Sequence, residues 1–124
     1  GNVYAAKLLK IKDPELLEGM RESYQIMKIL KHQYILEVKN LFLQQRISGC
    51  QIVMKYYPYP DLRDYIDKNL QQHKVIEERN AADIVHKILM AVSYMHEKKV
   101  CHRDLKPQNI LYDSFERKIK IIDF

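Results

Sequence analysis

Apolar residues recur with two different periods along these 124 residues, and the alternation between the periods divides the chain into elements. Val3-Tyr4-Ala5-Ala6-Lys7 is a β-branched and aromatic run ending in lysine, which predicts a strand with a solvated tip. Asp13-Pro14-Glu15 opens a helix: Asp13 can cap free N–H groups, Pro14 suits the first helical position and Glu15 complements the dipole. Leu16, Leu17, Met20, Tyr24, Met27 and Leu30 follow at spacings of three and four, carrying that helix to about Leu30. Ile35 to Leu43 reads as a strand with Ile35, Leu36, Val38, Leu41 and Leu43 as its apolar members, and Gly49 marks a turn. Gln51 to Tyr57 is the next strand, with Ile52, Val53 and Met54 inside, and Pro58 and Pro60 break it. Asp61 then suits the cap of a further helix, and Lys74 to Glu78 is a polar connection. From Glu78 to Lys98 the residues Ala81, Ile84, Val85, Ile88, Leu89, Val92 and Met95 recur at helical spacing, with Met90 and Tyr94 widening the face. The chain closes on two short strands, Asn109 to Tyr112 and Ile119 to Ile122, about a charged turn.

Between the long helix and the strand pair lies His102-Arg103-Asp104-Leu105-Lys106-Pro107-Gln108-Asn109, and after the pair comes Ile122-Asp123-Phe124. The pattern H-R-D-L-K-P-x-N resembles the catalytic loop of eukaryotic protein kinases, and the second segment resembles the start of their D-F-G motif. A lone His-Arg-Asp is common, but seven specified positions matching together with a second motif at the right distance make coincidence a poor explanation. Lys106, two places after Asp104, marks the serine/threonine form. Phosphoryl transfer passes through a loose transition state, so such a site mainly positions groups and neutralises charge. The resemblance implies that Asp104 accepts or orients the proton of the attacking hydroxyl, that Lys106 holds the γ-phosphate, and that Asn109 and Asp123 supply oxygen ligands to Mg2+. It makes Arg103 a candidate partner for a phosphorylated activation loop.

The same resemblance runs back through the chain. Val3 to Lys7 looks like the V-A-x-K strand, so Lys7 is expected on the α- and β-phosphates of ATP and Ala5 on the adenine ring. Met54 becomes the gatekeeper, the Lys55 carbonyl and Tyr57 N–H bind the adenine edge, and Leu111 forms the floor beneath it. Asp61 is expected at the ribose or at a basic substrate residue, though capping is an equally good role. The helix after Asp13 corresponds to the one called αC in that family, which should carry a glutamate paired with Lys7. Aligning Ile26-Met27 and Leu30-Lys31-His32 without a gap puts Ser23 at that place, with Glu22 next door and about 100° away. Glu22 is therefore only a conditional candidate, needing a turn or bulge of the helix.

Charge and composition change this little. Lys+Arg 21 against Asp+Glu 16 gives +5, but the cations are scattered, so a small basic nucleic-acid binder is the weaker rival and neither nucleic acid nor membrane is expected as a partner. A content of 47% apolar residues is enough to bury a core. Cys50 and Cys101 form no C-x-x-C pair, Cys101 is expected as a small buried residue, and no membrane-length apolar run occurs, so an intracellular, cytoplasmic setting is the default. His86 and His96 have no metal-ligand spacing. Three glycines provide no G-x-G-x-x-G loop, and nothing follows Phe124, so the ends read as those of a fragment. The fold class expected is α+β and protein-kinase-like: a partial upper lobe of antiparallel sheet plus αC, and the first part of the helical lower lobe. Residues 1–57 would be the upper-lobe part with the hinge and 58–124 the lower-lobe part, together an incomplete kinase domain. Valine and cysteine at 100 and 101 and the run from Ile119 resemble calcium/calmodulin-dependent kinases. The function implied is transfer of the γ-phosphate of Mg-ATP to serine or threonine of a protein substrate, under regulatory domains or partners outside this segment. Alone, the chain is expected to be inactive, with an exposed apolar face on its long helix. A truncated pseudokinase-type interaction module without catalysis is the alternative.

Overall fold

The computed structural model describes residues 1–44 and 49–123, which form two units. The first comprises Gly1–Lys31 and Glu37–Tyr56; the second takes His32–Leu36 and the chain from Tyr57 onward. Residues 32–36, expected with the first lobe, thus go with the second.

In the first unit, β1 (Tyr4–Lys10), β2 (Val38–Gln44) and β3 (Gly49–Lys55) make an antiparallel sheet in the order β1-β3-β2. Helix α1 spans Pro14–Ile29, and the Glu15 N–H donates to Asp13 Oδ1 at 2.9 Å, the cap read from the sequence. Residues directly opposite on neighbouring strands project to the same face. Lys7 and Leu41 both lie opposite Ile52, and Leu9 and Leu43 opposite Cys50. Ile52 packs with Val38 and with Tyr24 of α1, flanked by Met20, Met27, Leu9, Leu41 and Met54. Each such side chain, when fully buried, contributes about 1.5–3 kcal/mol. The face bearing Lys7 is therefore the face that α1 covers.

Two expectations need correction here. The strand read from Ile35 begins only at Val38, because Ile35 forms a parallel bridge with Ile121 instead. Gly49 is not in a turn: it is a buried strand residue opposite both Lys10 and Gln44, while residues 45–48 lie outside the described residues.

The second unit contains α2 (Leu62–Gln71), α3 (Glu78–Glu97) and a hairpin of β4 (Ile110–Asp113) with β5 (Lys118–Ile121). Asp61 caps α2, its Oδ1 accepting the Asp64 N–H at 2.8 Å. Ile84, Ala91 and Met95 of α3 are buried, as are Ile110, Tyr112, Ile119 and Ile121 of the hairpin. The 32–36 segment is tied to β5: the Ile121 N–H donates to the Tyr34 carbonyl at 2.8 Å and the Leu36 N–H to the Ile121 carbonyl at 2.9 Å. Lys87 of α3 donates to Asp83 at 2.9 Å and to the Arg117 carbonyl at 2.5 Å, beside the Tyr34 ring. Val85, Leu89 and Met90 stand exposed, the apolar patch expected on this helix. Cys101, by contrast, is exposed where burial was expected, while Cys50 is buried.

Candidate active site

The loop between α3 and β4 is organised by His102. The residue is 7% exposed; Nδ1 accepts the Asp104 N–H at 3.1 Å and Nε2 lies 2.8 Å from the Ile122 carbonyl. A nitrogen that accepts carries no proton, so Nε2 is the protonated one and donates to Ile122. Arg103 adopts φ 73°, a left-handed conformation uncommon outside glycine, and so turns the chain sharply between His102 and Asp104.

Two candidate side chains, those of Lys106 and Asn109, meet at the Asp104 carboxylate. Lys106 Nζ lies 3.2 Å from Oδ2, and Asn109 Nδ2 donates to the same Oδ2 at 3.1 Å and to the Asp104 carbonyl at 2.8 Å. Both contacts use one oxygen, Oδ2. The hydrogen bond from Lys106 holds the Asp104 carboxyl below the usual carboxylate range, with Asn109 and His102 acting in the same direction. Asp104 and Lys106 are both well exposed, so the pair adds little stability, and its effect is on protonation. Asn109 is 6% exposed and sits in a short 3-10 turn begun by Pro107, where its N–H donates to the Lys106 carbonyl at 2.9 Å.

Asp123 is brought to this loop by the backbone. The Ile122 N–H donates to the Asn109 carbonyl at 2.9 Å, which sets the residue before Asp123 directly against Asn109. Since both Asn109 Nδ2 hydrogens go to Asp104, its amide oxygen is the atom suited to a metal, and Asp123 adds a carboxylate. Two oxygen donors fit magnesium, which keeps waters and takes further ligands from phosphates; no group of three or more His, Cys, Asp or Glu that could hold a metal occurs among the described residues. Phe124 lies outside the described residues. Leu111 is half-buried in β4, bridged to Asp61, and the neighbouring Tyr112 N–H donates to the Pro60 carbonyl at 2.9 Å. The Tyr57 ring lies 4.8 Å from Lys120 Nζ.

In the first unit, Ala5 and Lys7 of β1 lie opposite Met54 and Ile52, which gathers three expected nucleotide contacts, Ala5, Lys7 and Met54, on one sheet face. The Lys55 N–H donates to the Glu37 carbonyl and the Tyr56 N–H to the Val3 carbonyl, both at 3.0 Å, fixing the end of β3. Glu22 is exposed, and α1 is a continuous α-helix without the local bulge that would turn Glu22 toward the sheet.

A family model for the protein kinase domain matches residues 1–124. The chain belongs to the protein kinase family. It is 40% identical over 115 residues to NUAK family SNF1-like kinase 2 of Homo sapiens, covering 93% of this chain and 17% of that protein. It is also 35% identical over 112 residues to "Probable serine/threonine-protein kinase MARK-A" of Dictyostelium discoideum, covering 90% of this chain and 10% of the relative. Aurora kinase B of Mus musculus is 34% identical over 139 aligned residues, which covers all of this chain and 38% of that kinase. The chain thus spans a small part of the length of these relatives. Protein kinases as a family use ATP with magnesium and act on protein substrates. In this kinase chain the residue that sequence reasoning passed over is His102, whose two ring nitrogens join the catalytic loop to Ile122. Its signal was available: a histidine two places before an acidic residue can accept that residue's N–H, and His32 does the same for the Tyr34 N–H at 3.1 Å. Among the described residues no helix is long and apolar enough to cross a membrane.

Proposed function

We propose that residues 1–124 form the central part of a serine/threonine kinase domain that transfers the γ-phosphate of Mg-ATP to a hydroxyl of a protein substrate. Gly1–Lys31 and Glu37–Tyr56 serve as the upper-lobe part, and His32–Leu36 with the chain from Tyr57 onward as the lower-lobe part. The observation that carries this reading is the convergence of Lys106 and Asn109 on one oxygen of Asp104, with Ile122 tied to Asn109. Asp104 Oδ1 takes the substrate hydroxyl's hydrogen bond and orients it toward the γ-phosphate. Lys106 holds that phosphate as a point charge. Asn109 and Asp123 hold magnesium when it is bound, and the metal neutralises charge on the phosphates. Within the first unit, Lys7 is assigned to the α/β-phosphates, Ala5 and Met54 to adenine and the Lys55 carbonyl to its edge; within the second, the Tyr57 N–H is assigned to the adenine edge, Leu111 to an adenine contact and Asp61 to the ribose. The setting is intracellular and cytoplasmic, with regulatory segments outside these residues.

The test is transfer of labelled phosphate from Mg-ATP to a protein substrate by the intact protein. Asp104→Asn is expected to lower kcat by about 10²–10⁴-fold, the usual worth of a positioned acid or base. Turnover that survives that change unaltered would sink the reading. Residues 1–124 expressed alone are expected to show no turnover, because this stretch contains no glycine-rich phosphate cover. A second reading, an interaction module without catalysis, draws support from the exposed Val85, Leu89 and Met90 and from the position of Glu22. Stable binding of a partner protein with no measurable phosphate transfer by the intact protein would favour it.

A further inference from the structure

The α1 residues in the core of the first unit, Met20, Tyr24 and Met27, set the direction in which the helix faces the sheet. At about 100° per residue, Glu15, Glu18 and Glu22 all fall about 150° or more from that direction. All three are exposed. Ser23 falls only about 65° from it and is half-buried. The side of the helix on which Ser23 lies is also fixed. Tyr24 leans toward β2, where its hydroxyl donates to the Lys39 carbonyl at 3.4 Å. Ser23, one residue back around the helix, occupies the opposite flank, the one turned toward β3 and β1. Lys7 stands on β1, on the covered face, opposite Ile52 of the same core.

We propose that Ser23 is the α1 position directed at Lys7, and that this protein engages nucleotide phosphates through Lys7 without a carboxylate from α1. Lys7 is then oriented by groups other than the helix, and rotation of α1 is not a switch that makes or breaks an ion pair with it. The short hydroxyl of Ser23 leaves that place uncharged. The inference rests on the nucleotide-binding role proposed above for Lys7.

The experiment is calorimetric titration of the intact protein with Mg-ATP, comparing the parent with Glu22→Gln, Ser23→Glu, Ser23→Gln and Lys7→Met. Glu22→Gln is expected to bind within twofold of the parent. Ser23→Glu is expected to tighten binding about tenfold, because a carboxylate there would hold Lys7 in its phosphate-binding position before the nucleotide arrives, and Ser23→Gln, of equal size but uncharged, is expected to leave it unchanged. A tenfold loss in Glu22→Gln would overturn the proposal, and so would equal affinities for Ser23→Glu and Ser23→Gln. Glu22 is exposed, so its arm decides the point even where Ser23→Glu fails to fold. Unchanged affinity in Lys7→Met would instead remove the role of Lys7 on which the inference rests, an outcome separable from the other two.

Discussion

Replacing His102 with leucine tests how the catalytic loop is held. Leucine fills most of the ring's volume but can neither donate to the Ile122 carbonyl nor accept the Asp104 N–H, bonds of 2.8 and 3.1 Å. A buried carbonyl left without a partner costs about 1–3 kcal/mol. Ile122 is half-buried and Asp104 exposed, so water offsets part of the loss, and the two together amount to about 2 kcal/mol. The Ile122 N–H is itself bonded to Asn109, so it reports the attachment directly. Amide hydrogen exchange there should quicken by about 30-fold, the factor that corresponds to about 2 kcal/mol of easier local opening. Asparagine at 102 provides the control. Its carbonyl can accept the N–H two residues on, as Asn does in turns, but it is too short to reach Ile122. His102→Asn should therefore keep Asp104 in place and still release Ile122. Parent-like exchange at Ile122 in the leucine variant would refute the assignment of His102 as the tie between the two segments.

Lys106→Met removes the main cause of the low Asp104 pKa, so the carboxyl should protonate at higher pH than in the parent. The sign follows from linkage: a depressed carboxylate stays ionised as pH falls until its own lowered pKa, and that reserve shrinks when the lysine goes. The acid limb of the pH–rate profile of the intact protein should shift upward, and an unshifted limb would count against Asp104 as the titrating group. Met95 is 0% exposed, and Met95→Ala should destabilise the second unit by about 2–4 kcal/mol, read as an earlier denaturant midpoint. Burial pushes the Cys50 thiol up, whereas Cys101 is exposed, so a thiol reagent under native conditions should label one cysteine quickly and the other only after unfolding.

Much of the fold was readable from the chain because it rests on local chemistry. Asp13-Pro14-Glu15 and Asp61 cap the helices they were expected to cap, and the hairpin of β4 and β5 forms about its charged turn. The misreadings share a different cause. Ile35 alternates correctly for a strand, yet its partner is Ile121, and pairing at that separation leaves no local pattern. Gly49 carries a turn composition but lies in β3, whose two neighbours oppose it on both sides. Cys101 has the composition of a core residue, and only the path of the loop leaves it exposed beside the buried His102. At the site, Asp104, Lys106, Asn109 and Asp123 could be picked out because their spacing along one loop is short, whereas Glu22 depended on helix rotation, which one residue of alignment changes by about 100°.

The chain leaves the first unit at Lys31, contributes five residues to the second, and returns at Glu37. During synthesis this order has a temporal cost. All three strands of the first sheet have been synthesised once Lys55 is added, but the β5 backbone that receives Tyr34 and Leu36 comes near the end of the described chain. At ribosomal speeds that gap is on the order of 10 s. For that interval the connection between α1 and β2 has no docking partner, and Ile35 and Leu36 are open to chaperones or to aggregation.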